Sequence, residues 1–502
     1  MVASATRAIR PRLRSTLWMS ALLLCIATGA NGADPDYRAQ LQLPALSEAD
    51  RDPTPEQTRK PKLDWETRAG RSYLIPALEI VGFDVLLNQF DRHYVDEQTY
   101  GSNLSTIHDN LHGSWVFDTD PFSTNQFLHP YQGSMYHGFA RSAGLSYWES
   151  LLYTFAGSAF WEIAGETTPP SKNDQIATGI GGTFLGEPLF RMASLLLESA
   201  DGTPGFWREV GAAALSPSTG FNRLAFGDRF DTIFPSRHPN YFSRVQIGEA
   251  YTDHMVDQGV TQPIEHAEGQ IDFAIAYGQP GKPDYAYTRP FDYFNFQFTA
   301  STANIIENIL SRGLLIGTDY QAGKNYRGVW GLYGSYDYIS PQTFRISSTA
   351  LSLGTTAQWW LANSVALQYT ALAGVGYGAA GTIHGQGERD YHYGATPQAL
   401  LSMKLIFGTR TSFELTGREY YVSSVASPEA RGFENIIRGD ATLTVRLVGR
   451  HAIAFKYVAS HREAHYPDLG DRHQTMGTAG VYYTWLGDTR LGAVEWRDQP
   501  TH

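Results

Sequence analysis

From about residue 242 onward, apolar and polar side chains alternate with a period of two. In FDYFNFQFTA, Phe294, Phe296 and Phe298 alternate with Asn295, Gln297 and Thr299; in ATLTVRLVG, Leu443, Val445 and Leu447 alternate with Thr442, Thr444 and Arg446. Successive strand residues point to opposite faces, so each segment has one face fit for lipid and one for a polar interior. Roughly twelve or thirteen such segments occur, each about ten to fifteen residues long, the length a tilted strand needs to cross hydrocarbon. Tight connections at Gly408-Thr409, Val448-Gly449-Arg450 and Gly487-Asp488 alternate with long ones at 377–390, 423–434 and 461–474. A soluble β-sandwich shares the alternation, but its strands are shorter, and Trp330, Tyr338, Trp359, Trp360, Tyr482 and Trp485 recur near strand ends as interfacial aromatics do. The expectation is an antiparallel transmembrane β-barrel of about 12 strands. One detail conflicts: if the segment around Trp496 is the last strand, the long connections fall on the periplasmic side.

Between residues 69 and 235 the spacing becomes helical, in SYLIPALEIVGFDVLLNQF, YWESLLYTFAGSAFWEIAGE and IATGIGGTFLGEPLFRMASLLLES. Glu149, Glu162, Asp174, Glu187 and Arg191 interrupt these runs, so the helices are expected to pack on each other or on the barrel rather than cross a bilayer. The fold class is therefore α+β, a helical domain (69–235) followed by a barrel (242–497). Residues 34–68 mix proline with alternating charges and read as a flexible linker. Ahead of them, Arg7, Arg10, Arg12 and Arg14 precede the apolar run Leu17 to Ala27 and small residues near Gly32, the layout of a cleaved signal peptide over residues 1–33. Together these place the chain in the outer membrane of a Gram-negative bacterium, with outer-membrane lipids and the barrel-insertion machinery as expected partners.

Composition narrows the chemistry. Cys25 is the only cysteine and is expected to leave with the signal, so disulfides and thiolate nucleophiles are excluded. The net charge of -11 becomes near -15 without the four signal arginines, and no nucleic-acid partner is expected. There is no G-x-S-x-G elbow, P-loop or dinucleotide fingerprint between a strand and a helix, and no cofactor is assigned.

Polar residues cluster in WVFDTDPFSTNQFLHPYQGSMYHGFAR (115–141), YWES (147–150), SAFWEIAGETTPPSKND (158–174) and GIGGTFLGE (179–187). Pro130 is placed to begin a helix on which His137 and Arg141 share a face; Glu162 and Glu166 share a face of the next. Carboxylates beside histidine in apolar surroundings can act as acid and base or bind a divalent ion, so His129, His137, Glu162 and Glu166 are the candidate catalytic residues. Asn125, Arg141, Glu149, Ser171, Asn173, Asp174, Glu187 and Arg191 complete a binding or structural polar network, and no metal ligand set is assigned. The structural alternative is concrete: Ser171 caps toward Asp174, Gly179, Gly182 and Gly186 permit close helix contact, and Arg141 or Arg191 neutralises Glu162 or Glu187. Histidines in 381–393 and 461–473 are expected in solvated loops.

The motifs NQ-x-x-HPY, the W-E helix, P-S-x-N-D and the final G-E resemble an uncharacterised bacterial envelope family classed as a domain of unknown function, over about residues 70–200. That resemblance implies no established activity or catalytic residues. The order His129, Glu162, Asn173, Asp174, Gly182, Gly186 is similar to VanZ-like membrane proteins, whose spacing and uninterrupted membrane helices differ, and it carries no function across. The expected role is non-enzymatic: envelope organisation, or lipid or small-solute passage, with the helices plugging a narrow lumen or standing in the periplasm. The alternative is a lipid- or glycan-modifying hydrolase or transferase using the His/Glu cluster on a small-molecule or lipid ligand.

Overall fold

The computed structural model describes residues 62–496 apart from 199–203, 258–259, 342–343, 382–386, 428–431 and 468–469. The expected signal peptide and residues 34–61 lie outside the described residues. Residues 62–68 do not continue a linker: Leu63 is buried with Ala143 and Phe230, and the Trp65 indole donates to the Thr232 carbonyl at 3.0 Å.

Twelve strands among the described residues, β1 (Tyr241–Asp257) through β12 (Gly470–Leu486), pair antiparallel with their sequence neighbours, and β1 pairs β12 to close the barrel. Alternation sets the two faces. In β5 (Tyr326–Ile339), Trp330 is exposed, whereas Tyr333, Ser335 and Asp337 turn into the lumen, where Asp337 accepts from Arg312 at 3.1 Å and from the Tyr420 hydroxyl at 2.8 Å. Leu353, Leu401, Phe413, Phe455 and Val481 continue the exposed apolar belt around the outer wall.

The short turns 323–325, 363–364, 408–410 and 449–450 lie at the end where β1 begins and β12 finishes, as does the connection 278–293, whereas β7 and β9 finish at the other end, where β8 and β10 begin. This removes the orientation conflict, because the last strand ends at Leu486 and not around Trp496. The following tail turns across the lumen instead. Leu491, Ala493 and Val494 are buried against Phe242, Trp360 and Ile406, and the Ala493 carbonyl accepts from Asn240 at 2.6 Å. The expected long loop at 461–474 is also corrected: His461 to Tyr466 finish β11 (His451–Tyr466), and β12 starts at Gly470. His392 likewise lies in β8 (Tyr391–Phe407), buried and bonded to Tyr466 at 3.0 Å.

The helices among the described residues are α1 (Leu74–Tyr94), α2 (Glu97–Tyr100), α3 (Leu104–His112), α4 (His129–Ser142), α5 (Tyr147–Ala164), α6 (Lys172–Ile176), α7 (Gly182–Leu197), α8 (Phe206–Leu215) and α9 (Pro217–Phe230). Two π-helical turns, Thr124–Leu128 and Ala177–Gly181, lead into α4 and α7. Helices α4 and α7 cross at glycine: a Cβ on Gly182 would stand 2.6 Å from Gly133 Cα.

The domain neither fills the lumen nor stands apart from the barrel. Its contacts with the strands fall on the outer face, at the positions that share Trp330's side of the strand, and others reach the connections at Asp292 and Glu388. Phe184 covers Gly334, Tyr336 donates to the Gln126 carbonyl at 2.5 Å, and Phe122 and Phe127 pack on Tyr338. The Ser311 hydroxyl donates to the Phe184 carbonyl at 2.5 Å. The expectation of a helical plug is therefore corrected. Phe294, Phe296, Tyr336 and Tyr338 supply an apolar outer wall that the helices cover in place of lipid.

Two outlying helices have reversed polarity. On α1 the buried face carries Pro76, Ile80, Asp84 and Asn88, while Leu74, Leu78, Val85, Leu86 and Phe90 are exposed. On α5, Ser150, Thr154, Ser158 and Glu162 are buried while Trp148, Leu152 and Phe160 are exposed. No helix among the described residues is long and apolar enough to cross a membrane.

Candidate functional site

The carboxylates, histidines and arginines expected to act together divide into two buried clusters along α4. At its C-terminal end, Glu187 of α7 accepts from His137 Nε2 at 3.0 Å, from Arg141 Nε at 2.7 Å and from Arg191 Nε at 2.8 Å. Arg191 continues to Asp292, in the loop between β2 (Val260–Tyr277) and β3 (Phe294–Ser301), at 3.0 Å. Burial opposes the charge on Glu187, but Arg141, His137 and Arg191 overcome it and hold its pKa well below the usual range. Burial lowers that of His137. This is a charge-paired network, with both guanidinium groups serving Glu187 and neither reaching Glu162, although His137 Nδ1 has no hydrogen-bond partner among the described residues.

The second cluster forms at the N-terminal end. The π-turn Thr124–Leu128 runs directly into α4, so Asn125 and His129 lie one turn apart. Ser171 caps α6, its hydroxyl accepting from the Asp174 backbone at 3.2 Å, which fixes Asn173 and Asp174 in the first turn. Glu162, near the end of α5, accepts the Ser171 backbone N–H at 2.8 Å. One donor atom from each of His129, Glu162 and Asp174 lies within 4.8 Å of the others, and all three residues are buried. His129 Nε2 is 3.6 Å from Asp174 Oδ2.

Around this triangle, Asp118 accepts from Asn125 at 2.5 Å and from Asn173 at 2.7 Å. Both amides also donate to the Tyr393 hydroxyl, at 3.2 and 2.8 Å, from the barrel wall. The cluster is therefore part of the seam that fastens the helices to β8. Burial, reinforced by neighbouring carboxylates, raises Glu162 and Asp174 well above the ordinary range, and burial lowers His129. These surroundings favour the neutral forms of both carboxyls and of the imidazole, an arrangement able to pass a proton or receive a cation.

Other candidates lie elsewhere. Glu166 accepts from Trp161 at 2.9 Å and from Thr168 at 2.9 Å, and burial pushes its pKa up to about 7. Glu149 caps α5 with Ser146 and accepts from Tyr73, away from both clusters. Sequence reasoning missed Asp118, Asp292 and Tyr393. Asp118 stood inside a quoted polar motif, whereas Asp292 and Tyr393 join from the barrel, and no local pattern marks such distant partners.

The fold and seam define a membrane-spanning β-barrel protein with a buried polar centre between its outer wall and a flank-docked helical domain. Residues 114–218 match the family model of a domain of unknown function, DUF3943. No curated protein matches the chain. Solved structures similar to it include the outer membrane protein OmpT of Vibrio cholerae, at 7% identity, covering 49% of this chain and 98% of that one with a TM-score of 0.22. The toluene transporter TodX of Pseudomonas putida is similar at 9% identity over 50% of this chain and 90% of that one, TM-score 0.20. The outer membrane protease OmpT of Escherichia coli is similar at 8% identity over 50% and 100%, TM-score 0.18.

Proposed function

We propose that the chain is an outer-membrane protein whose barrel serves as an anchor rather than a conduit, and whose helical domain engages membrane lipid from the barrel's flank. The observation that carries this reading is the reversed polarity of α1 and α5 on a domain fixed to a lipid-facing wall. Contiguous exposed apolar surface is unfavourable in water by about 25 cal/mol per Å² and becomes favourable against acyl chains. The C-terminal tail across the lumen supports the anchor half of the proposal.

A photoreactive amino acid at Leu78 or Leu152, in protein reconstituted into phospholipid vesicles, is expected to crosslink to lipid, and one at buried Thr154 is not. Intact protein in planar bilayers is expected to be nearly silent, and truncation after Leu486 to raise conductance. Aqueous labelling at 78 and 152 with no lipid adduct, or large conductance of the intact chain, would overturn the reading.

A second reading is favoured by one observation, the convergence of His129 with Glu162 and Asp174. Lipid or glycan modification with His129 and Glu162 as base and acid predicts an altered envelope lipid profile in a Glu162→Gln strain. An unchanged profile at normal protein level removes it.

A further inference from the structure

We infer that His129, Glu162 and Asp174 form a binding site for a divalent transition-metal cation of the Zn²⁺ or Mn²⁺ class, with the Asn125 amide oxygen as a further ligand. The geometry is near that of a loaded site. Ligand atoms about 2.0–2.2 Å from a shared tetrahedral ion stand about 3.3–3.6 Å apart. The His129–Asp174 separation is 3.6 Å and all three ligand atoms lie within 4.8 Å of one another, so small side-chain adjustments complete it.

An independent observation points to the same place. Asn125 Oδ1, Ser158 Oγ and Thr178 Oγ1 have no hydrogen-bond partner among the described residues, and these side chains are 0%, 1% and 1% exposed. Each stands four residues from one member of the triangle: Asn125 before His129, Ser158 before Glu162, and Thr178 after Asp174. Of the three, Asn125 is tied to the cluster directly, because its amide and that of Asn173, next to Asp174, both donate to Asp118 and to the Tyr393 hydroxyl. An unmatched buried acceptor costs about 1–3 kcal/mol, so the Asn125 oxygen is unfavourable there unless an ion or its bound water meets it. The Asn125 amide nitrogen is committed to Asp118, which leaves the oxygen as its available donor to a cation.

Charge and ligand chemistry select the class. Asp118, Glu162 and Asp174 have no lysine or arginine within ion-pair distance among the described residues, whereas Glu187 has two arginines. A dication supplies that charge, and an imidazole with carboxylate and amide oxygens suits Zn²⁺ or Mn²⁺ better than the all-oxygen shells of Ca²⁺ and Mg²⁺. Ser171 orients Glu162, and Asn173 donates to Asp174 at 3.1 Å, the outer hydrogen bonds such ligands require. Because Asn125 and Asn173 also hold Tyr393, an ion here tightens the helical domain on the barrel. The inference does not depend on lipid engagement.

Full-length protein in detergent micelles, stripped with EDTA and dialysed against Zn²⁺ or Mn²⁺ alone, is expected to retain about one ion per chain by mass spectrometry. His129→Gln and Asp174→Asn should weaken retention at least about tenfold, and Asn125→Ala by about 10–100-fold. The exposed group His461, Glu463, His465 and His473 is the decoy. If His461→Ala/His465→Ala releases the ion while His129→Gln keeps it, the proposal is overturned. Should the buried variants fail to fold, X-ray absorption of the wild-type zinc complex decides. One imidazole in a shell of oxygens supports the site, and two or more imidazoles overturn it.

Discussion

Helix α4 carries two buried histidines two turns apart, and their surroundings answer the same electrostatic problem differently. Around His137, Glu187 is met by Arg141 and Arg191, and Arg191 is met in turn by Asp292. Around His129, carboxylates are gathered with amides, hydroxyls and tyrosines, and no guanidinium among the described residues arrives. The first cluster is electrostatically complete within the chain, and the second needs either protons or a cation from outside it. Burial alone therefore does not identify a functional centre. The informative quantity is whether charge is matched locally.

The largest effect should come from unbalancing the complete cluster. Arg191→Leu leaves Glu187 and Asp292 each short of a buried partner, and losing one member of such a network costs about 3–5 kcal/mol. In EDTA-treated protein, Asp174→Asn should cost much less, under about 1.5 kcal/mol, because it keeps the shape and strands no cation. Denaturant midpoints of the helical domain, followed by tryptophan emission, compare the two. Equal losses would show that the second cluster is also closed within the chain, and the contrast between them would fail.

Much of the architecture was legible. Lipid on one side and a polar lumen on the other impose the period-two pattern directly, and the helical spacing of 69–235 is as plain. What no local pattern reveals is which side of the wall the helices occupy. Phe294 and Phe296 are apolar whether they meet lipid or α7, and Tyr336 and Tyr338 at a strand end look like an interfacial belt although they face Gln126 and Phe122. The same limit applies to the site. Ser171 and Asp174 were readable as a cap because capping is local, and His129 and Glu162 stood out against apolar surroundings. Pairing Glu187 with both arginines was one of two alternatives, and Glu166 shares a helical face with Glu162 yet turns to Trp161. Tyr393 hydrogen-bonds Asn173 across 220 residues, a distance over which only the folded chain supplies information.

A buried carboxylate outside both clusters provides the control that separates lack of a cation from readiness to bind one. Asp84, on the buried face of α1, accepts a short hydrogen bond from Tyr136, has one oxygen without a partner, and has no cation within ion-pair distance among the described residues. Burial pushes its pKa up to about 8, with Tyr136 and Gln132 opposing. The unfolded value is about 3.9, so the folded protein keeps this proton to higher pH than the unfolded chain does. The associated stability is fully present below about pH 4, declines as pH rises, and is lost as pH passes through about 8. One proton limits the slope to about 1.4 kcal/mol per pH unit, and solvent penetration should reduce it further. Asp84→Asn should flatten that part of the profile between pH 5 and 8, measured by thermal melts of EDTA-treated protein, while Zn²⁺ added to the wild type should leave the Asp84 contribution in place. If zinc abolishes the Asp84-dependent slope as well, the ion acts wherever a carboxylate is buried without a cation, and the His129 end of α4 loses its distinction.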